Sequence, residues 1–270
     1  MSDERWIQLR RDPETGIESL RAYFRGHAYD PHTHDEVLVG FTEAGVQQFR
    51  CRRRLVTSTP GRAILMEPGE PHDGRSPPDE GFTYGMLYLP AAWLRAQAER
   101  HGARGDLGFR HTLAEDAGLL AAIRGAFSAV HAGEGRLTRD QALDGLVAAL
   151  AGVARPPAPA TREPGVAQAH AALHEGYQDD IGLDDLAAAS GLDRFRLTRA
   201  FKAQLGLSPH AYLVQLRLRA ARRQLARGTP PAQAAADAGF ADQSHLGRWF
   251  RRAYGLTPAA YRRACTNVPD

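Results

Sequence analysis

The chain has 270 residues, 43% of them hydrophobic and 24% charged, a balance that fits one large or two ordinary globular domains and excludes global disorder. No apolar run approaches the ~20 residues of a membrane-spanning helix. Residues 1–16 lack the apolar core of a secretion signal, and two cysteines, Cys51 and Cys265, cannot build a disulfide framework. The expected compartment is the cytoplasm, with no membrane partner. The net charge of +3 is unevenly spread, because residues 194–263 hold 14 Lys and Arg against two acids, Asp237 and Asp242. A polyanion is the expected partner, nucleic acid first.

The first ninety residues read as strands and turns. Residues 37–42 and 46–50 are short apolar runs joined by Glu43-Ala44-Gly45, the pattern of a hairpin. Residues 63–66 and 82–89 add two more strands, punctuated by Gly and Pro, and together they predict a small sandwich or barrel. Along an extended strand, His32, His34 and Glu36 share one face. His72, after the Pro68-Gly69 turn, is placed to close a site from another strand. Imidazole and carboxylate suit a divalent metal. Hydrogen-bonded structural histidines and an organic-ligand pocket are the alternatives. Trp6, Tyr23, Tyr29, Tyr84 and Tyr88 are candidate pocket or core aromatics. Cys51 lies between arginines, which predicts either a solvated edge strand or a thiol activated by positive charge.

From Ala91 the periodicity turns helical. Leu119, Ile123, Phe127 and Val130 form one stripe; Leu143, Leu146, Val147, Leu150 and Val153 form another, preceded by a capping-box spacing at Thr138–Gln141. These helices are expected to cover the barrel, to pair two subunits, or both. Residues 154–165 are Pro-rich and read as a linker between a domain over 1–153 and a domain over 166–270.

The second half repeats itself at an offset of about 48. Ala187–Leu192 matches Ala235–Phe240, and Gly206-Leu-Ser-Pro209 matches Gly255-Leu-Thr-Pro258. Each copy reads as helix, Gly-containing turn and helix. The second helices span 194–205 and 243–254, and a rigid connecting helix runs over 209–227. Leu197 and Phe201, like Leu246 and Phe250, lie four apart and face a core. Phe195, Thr198, Arg199 and Lys202 share another face, as do Ser244, His245, Arg248, Arg251 and Arg252. Arg forks to guanine and Gln to adenine, while Lys202, Arg251 and Arg252 suit phosphate.

The stretches LDDLAAASGL, RFRLTRAFKAQLGLSPHAYLVQLRLRAAR and DAGFADQSHLGRWFRRAYGLTPAAYR resemble the DNA-binding domain of AraC/XylS-type transcription regulators. The resemblance carries base reading onto Phe195, Arg196, Thr198, Arg199, Gln243, Ser244, His245 and Arg248. Pro231, Ala234 and Leu246 depart from the bulkier residues usual there, implying a lighter second core. Residues 20–90 resemble a cupin barrel, with Gly61, Gly69 and His72 at its spacing; Pro68 is displaced by one and Glu36 lies closer to His34 than the metal pattern wants.

The resemblance implies an α+β chain of two domains, a cupin-like β-barrel with following helices and an all-α double helix-turn-helix domain. Its implied function is an effector-responsive, sequence-specific transcription regulator, an activator rather than an enzyme. The implied partners are a double-stranded operator, a small-molecule effector, a second copy and RNA polymerase. A cupin metalloenzyme fused to a DNA-binding domain is the alternative. No phosphate loop, Gly-x-Ser-x-Gly elbow or His-Glu-x-x-His occurs.

Overall fold

The computed structural model describes residues 5–78, 80–156 and 162–266. It divides into two compact units, 1–158 and 159–270. Among the described residues, no helix is long and apolar enough to cross a membrane.

The first unit begins with nine strands: β1 (Trp6–Arg11), β2 (Glu18–Arg25), β3 (His27–His32), β4 (Val37–Gly45), β5 (Gln47–Cys51), β6 (Arg54–Ser58), β7 (Ala63–Met66), β8 (His72–Arg75) and β9 (Gly81–Leu89). Then come α1 (Ala91–Arg100), β10 (Leu113–Ala114), α2 (Ala117–Ala132) and α3 (Arg136–Val153). Strands pair antiparallel in two sheets, ordered β1-β2-β9-β4-β7-β10 and β3-β8-β5-β6.

Side-chain alternation builds the core. Leu38, Ile64, Met66, Tyr84, Met86 and Tyr88 of the larger sheet pack with Tyr29, Phe49 and Cys51 of the smaller one. The intervening residues Val37, Val39, Phe41, Ala63, Leu65, Leu87 and Leu89 point the other way. There they meet Leu94 of α1, Ile123 and Phe127 of α2, and Leu143, Leu146 and Leu150 of α3. The middle strands β4, β7 and β9 of the larger sheet are thus buried on both faces, which is why they read as continuous apolar runs.

Three expectations fail here. The 37–42 and 46–50 runs are strands but not a hairpin, since β4 pairs with β7 and β9 while β5 pairs with β6 and β8. Glu43-Ala44-Gly45 instead carries the chain from one sheet to the other. Gly45 has φ +74, and a Cβ there would stand 1.9 Å from the Gly81 carbonyl oxygen, so only glycine serves at this crossing. Cys51 is neither a solvated edge residue nor an activated thiol. It is 1% exposed on a strand flanked by β8 and β6. Burial, aided by Glu70, pushes its pKa up to about 12. Thr138 caps nothing, because α3 starts earlier, at Arg136, with Gly135 as its N-cap.

Arg139 lies one turn inside α3. Its guanidinium is buried and bonds the Asp12 carboxylate at 2.7 Å, and it also engages Glu14. This ion pair ties α3 to the turn between β1 and β2.

The second unit is helical: α4 (Pro164–Gly176), α5 (Leu183–Ser190), α6 (Arg194–Leu205), α7 (Pro209–Ala226), α8 (Pro231–Asp237), α9 (Gln243–Tyr254) and α10 (Pro258–Thr266). Residues 157–161, the middle of the Pro-rich stretch, lie outside the described residues. Val166, Ala169, Leu173, Leu186, Leu197, Phe201, Leu213 and Leu216 form one core. On α4, His170 and His174 both bond the Tyr212 hydroxyl at 2.9 Å. Burial, with Arg162, His174 and Arg219 nearby, pushes the His170 pKa down to about 4.

Two outcomes follow. Removing Arg139 leaves a buried carboxylate without its counter-ion, so Arg139→Ala lowers stability by about 3–5 kcal/mol in urea unfolding. His170 is neutral in the folded unit and titrates nearer its ordinary value when unfolded. Its contribution is therefore complete above about pH 6.5 and is lost as the pH falls towards about 4. The His170→Gln variant keeps a side chain able to bond Tyr212 and flattens the decline of stability from about pH 7 to about pH 5.

Candidate nucleic-acid interface and buried histidine cluster

Local signals fix the two candidate reading helices. The Asp193 carboxylate accepts N–H bonds from Phe195 (3.0 Å) and Arg196 (2.9 Å), capping α6. Asp242 accepts the His245 N–H at 2.6 Å, capping α9. Gly206 and Gly255, both at positive φ, end these helices. Each therefore spans the residues its sequence predicts. Gly239, in the turn before α9, has φ +81, and a Cβ there would lie 2.6 Å from the Gln178 carbonyl oxygen.

Each helix buries one face completely. Leu197 and Phe201, and Leu246 and Phe250, are 0% exposed. The opposite face is left to solvent. Phe195 is 85% exposed, unusual for a large aromatic. Arg196, Arg199 and Lys202 are exposed and Thr198 is half-buried. On α9, Gln243, Ser244, Arg248, Arg251 and Arg252 are exposed and His245 is half-buried. His245, Arg248, Trp249, Arg251 and Arg252 line one open groove. Sequence reasoning missed Trp249, whose indole N–H donates to His245 Nε2 at 2.9 Å. Since Nε2 is the acceptor, Nδ1 carries the proton of the neutral ring and is its donor. The Arg252 guanidinium lies 5.0 Å over the Trp249 ring.

Other arginines of the basic segment have structural work. Arg217 donates to the carbonyls of Tyr177 (2.7 Å) and Asp179 (2.8 Å). Arg222 is 7% exposed, with its guanidinium over the rings of Tyr254 and Tyr261 at 5.6 and 5.4 Å. The lighter second core expected from Ala234 and Leu246 closes around them nonetheless: Ala234, Ala235 and Ala238 are buried with Phe240, Tyr254 and Tyr261.

In the first unit the structure brings His32, His34 and His72 together. One ring nitrogen of each lies within 4.8 Å of the others, and all three are buried. Ring centroids are 4.5 Å apart for His32 and His72, 4.8 Å for His32 and His34, and 5.3 Å for His34 and His72. His32 is the register partner of His72 across β3 and β8, and Cys51 faces His72 from β5. Burial holds His72 below the usual histidine range, so this ring is neutral at ordinary pH. Glu36 is not a member of this group. The predicted strand stops at His32, and residues 33–36 lie outside any strand, with a bend at 35–36, so the alternation that placed Glu36 beside the histidines does not apply. Of the aromatics, Tyr29, Tyr84 and Tyr88 are buried, Tyr23 is half-buried, and Trp6 is 39% exposed. Tyr29 and Tyr84 share a hydroxyl hydrogen bond of 2.6 Å.

Comparison with known proteins gives a consistent result. Residues 14–151 match the model of the AraC-like ligand binding domain, and residues 186–264 match a helix-turn-helix domain. Over 91% of its length the chain is 27% identical to an HTH-type transcriptional regulator of Bacillus subtilis, YbfI, covering 90% of that protein. It is 40% identical over 92 residues, 34% of this chain and 26% of the other, to the transcriptional activator NphR of Rhodococcus. The solved structure of a point variant of ToxT from Vibrio cholerae, in its apo form, superposes with a TM-score of 0.58 at 12% identity, covering 97% of this chain and 98% of that one. That likeness is one of fold.

Proposed function

Because the chain belongs to the AraC family of transcriptional regulators, we propose that it activates transcription by reading an operator through α6 and α9, under the control of a small molecule held between the two sheets of its first unit. The observation that carries the reading is the paired construction of α6 and α9. Each is capped by an Asp, anchored by a wholly buried Leu and Phe, and exposes a polar, cationic face.

The chemistry divides that face by role. Arg196, Arg199 and Arg248 carry forked donors that fit guanine O6 and N7, and Gln243 fits adenine N6 and N7. Phe195 offers an apolar edge for a thymine methyl. Thr198, Ser244 and the Nδ1–H of His245 add single hydrogen bonds. Lys202, Arg251 and Arg252 neutralise phosphates, which sets register and affinity rather than sequence. Arg196 stands 3.6 Å from Glu163 in an exposed pair worth little in water, so a phosphate or base displaces it at small cost.

Cytoplasmic residence, pairing of two copies through the helices of the first unit, and contact with RNA polymerase complete the proposal. Two copies would place four reading helices on DNA. The effector acts only through its differential affinity for two arrangements of the protein.

The test is a titration at fixed salt against a duplex selected from a random pool and against a scrambled control. Arg199→Ala and Arg248→Ala each weaken the selected duplex by about 1–3 kcal/mol and leave the control nearly unchanged. Lys202→Ala weakens both alike and makes the salt dependence shallower by about one ion. Unchanged affinity in both arginine variants would sink the assignment of α6 and α9 as readers.

A further inference from the structure

We propose that His32, His34 and His72 bind one divalent first-row transition metal ion, of the class of Zn²⁺, Ni²⁺, Co²⁺ or Fe²⁺, between the two sheets of the first unit. The inference rests on the reading of this unit as ligand-binding and names the chemistry of that site.

Convergence is the first ground. Three imidazole nitrogens meet within 4.8 Å from three different points of the chain: the end of β3, the link after it, and the start of β8. A tetrahedral ion with bonds of 2.0–2.1 Å needs its nitrogens about 3.3 Å apart, a closure that small ring rotations supply.

Ring orientation is the second ground. His32 Nδ1 lies 2.8 Å from the Asp30 carbonyl oxygen, and His72 Nδ1 lies 2.9 Å from the Glu70 carbonyl oxygen. A carbonyl only accepts, so in both rings Nδ1 carries the proton and Nε2 carries the lone pair. The same device, a backbone carbonyl two residues earlier, thus sets the tautomer of two register-paired histidines. This is how metal-ligating histidines are oriented from behind.

Surroundings are the third ground. The three rings are 4%, 3% and 8% exposed, and they sit beside the rings of Tyr29 and Tyr88. Neutral imidazole selects borderline metals over Mg²⁺ and Ca²⁺. Three neutral ligands leave the ion's charge uncompensated and at least one coordination position open. An anionic oxygen ligand, a carboxylate or hydroxide, suits that position.

The experiment uses the untagged full-length chain, stripped with a chelator and titrated with Co²⁺. One Co²⁺ binds per chain, and Zn²⁺ displaces it. His34→Ala and His72→Ala each weaken binding at least about 100-fold, while Glu36→Gln leaves it unchanged. Circular dichroism and DNA affinity of the metal-free variants check that they fold. Proton spectra of the Co²⁺-loaded wild type provide a second readout that needs no variant. At least two exchangeable ring N–H signals, from His32 and His72, appear far outside the diamagnetic range. No binding at micromolar Co²⁺, unchanged affinity in both histidine variants, loss of binding in Glu36→Gln, or bound Co²⁺ without shifted ring N–H signals would each overturn the proposal. DNA binding is followed on the same samples. Intact sequence discrimination without metal binding removes this inference alone, and metal binding without discrimination removes the operator reading alone.

Discussion

The second unit depends on one repeated constraint: on each reading helix, a Leu and a Phe four residues apart must be wholly out of water. Leu197 with Phe201, and Leu246 with Phe250, are each completely buried. That burial fixes the rotation of α6 and α9 about their axes, and rotation decides which side chains meet a groove. With Leu197 inward, Phe195, Arg199 and Lys202 have nowhere to go but outward. The 85% exposure of Phe195 is the clearest sign of this division. An aromatic is not left in water by the fold's own needs, because burying it would stabilise the unit by roughly 1.5–3 kcal/mol. Its position at the N-terminal end of α6 is where a helix in a major groove first touches base edges.

The connecting helix shows why net charge overstates a binding face. α7 carries four arginines that a charge count assigns to DNA. Arg217 instead holds the loop after α4 through two carbonyls. Arg222 lies over Tyr254 of α9 and Tyr261 of α10, joining the frame to the second reader. A guanidinium on an aromatic face can be buried where an ammonium would resist it. Arg217 and Arg222 are thereby withdrawn from the surface open to DNA, while Arg196, Arg199 and Lys202 on α6 and Arg248, Arg251 and Arg252 on α9 stay exposed.

What was legible in the sequence follows the range of the interactions involved. The ends of α6 and α9 are legible at Gly206 and Gly255, which act within a turn of the helix they limit, and the structure adds the Asp193 and Asp242 caps at their starts. α7 was likewise legible from Ser208-Pro209, and β4, β7 and β9 were legible as apolar runs. Pairing was not legible, because it depends on distant partners. β1 shows only partial, alternating burial and has no apolar run. β3 and β8 are polar and stand as strands through each other. The supposed hairpin at 37–50 failed because two strands adjacent in sequence went to different sheets. Cys51 was misplaced for the same reason: its arginine neighbours suggested an edge, while β6 and β8 cover it on both sides. The histidines were found by residue type and spacing. Glu36 does not join them because β3 ends at His32, short of the extended backbone that its alternation requires.

The histidine cluster sits where the two sheets meet, and this gives a site there mechanical consequence. His32 and His72 belong to the smaller sheet, whereas His34 lies on the short link that leads into β4, in the middle of the larger one. His34 also accepts the Gly69 N–H through its carbonyl oxygen at 2.8 Å, fastening that link to the turn before β8. A ligand gripping all three rings would draw the link and the smaller sheet together. The far face of β4 packs through Phe41 against Phe127 of α2, with ring centroids 5.4 Å apart. Close-packed interiors pass small displacements on rather than absorbing them. The link that carries His34 thus runs directly into the strand whose Phe41 meets α2. The energy available for that work is bounded by the difference in ligand affinity between the two arrangements, and tight binding to both would accomplish nothing.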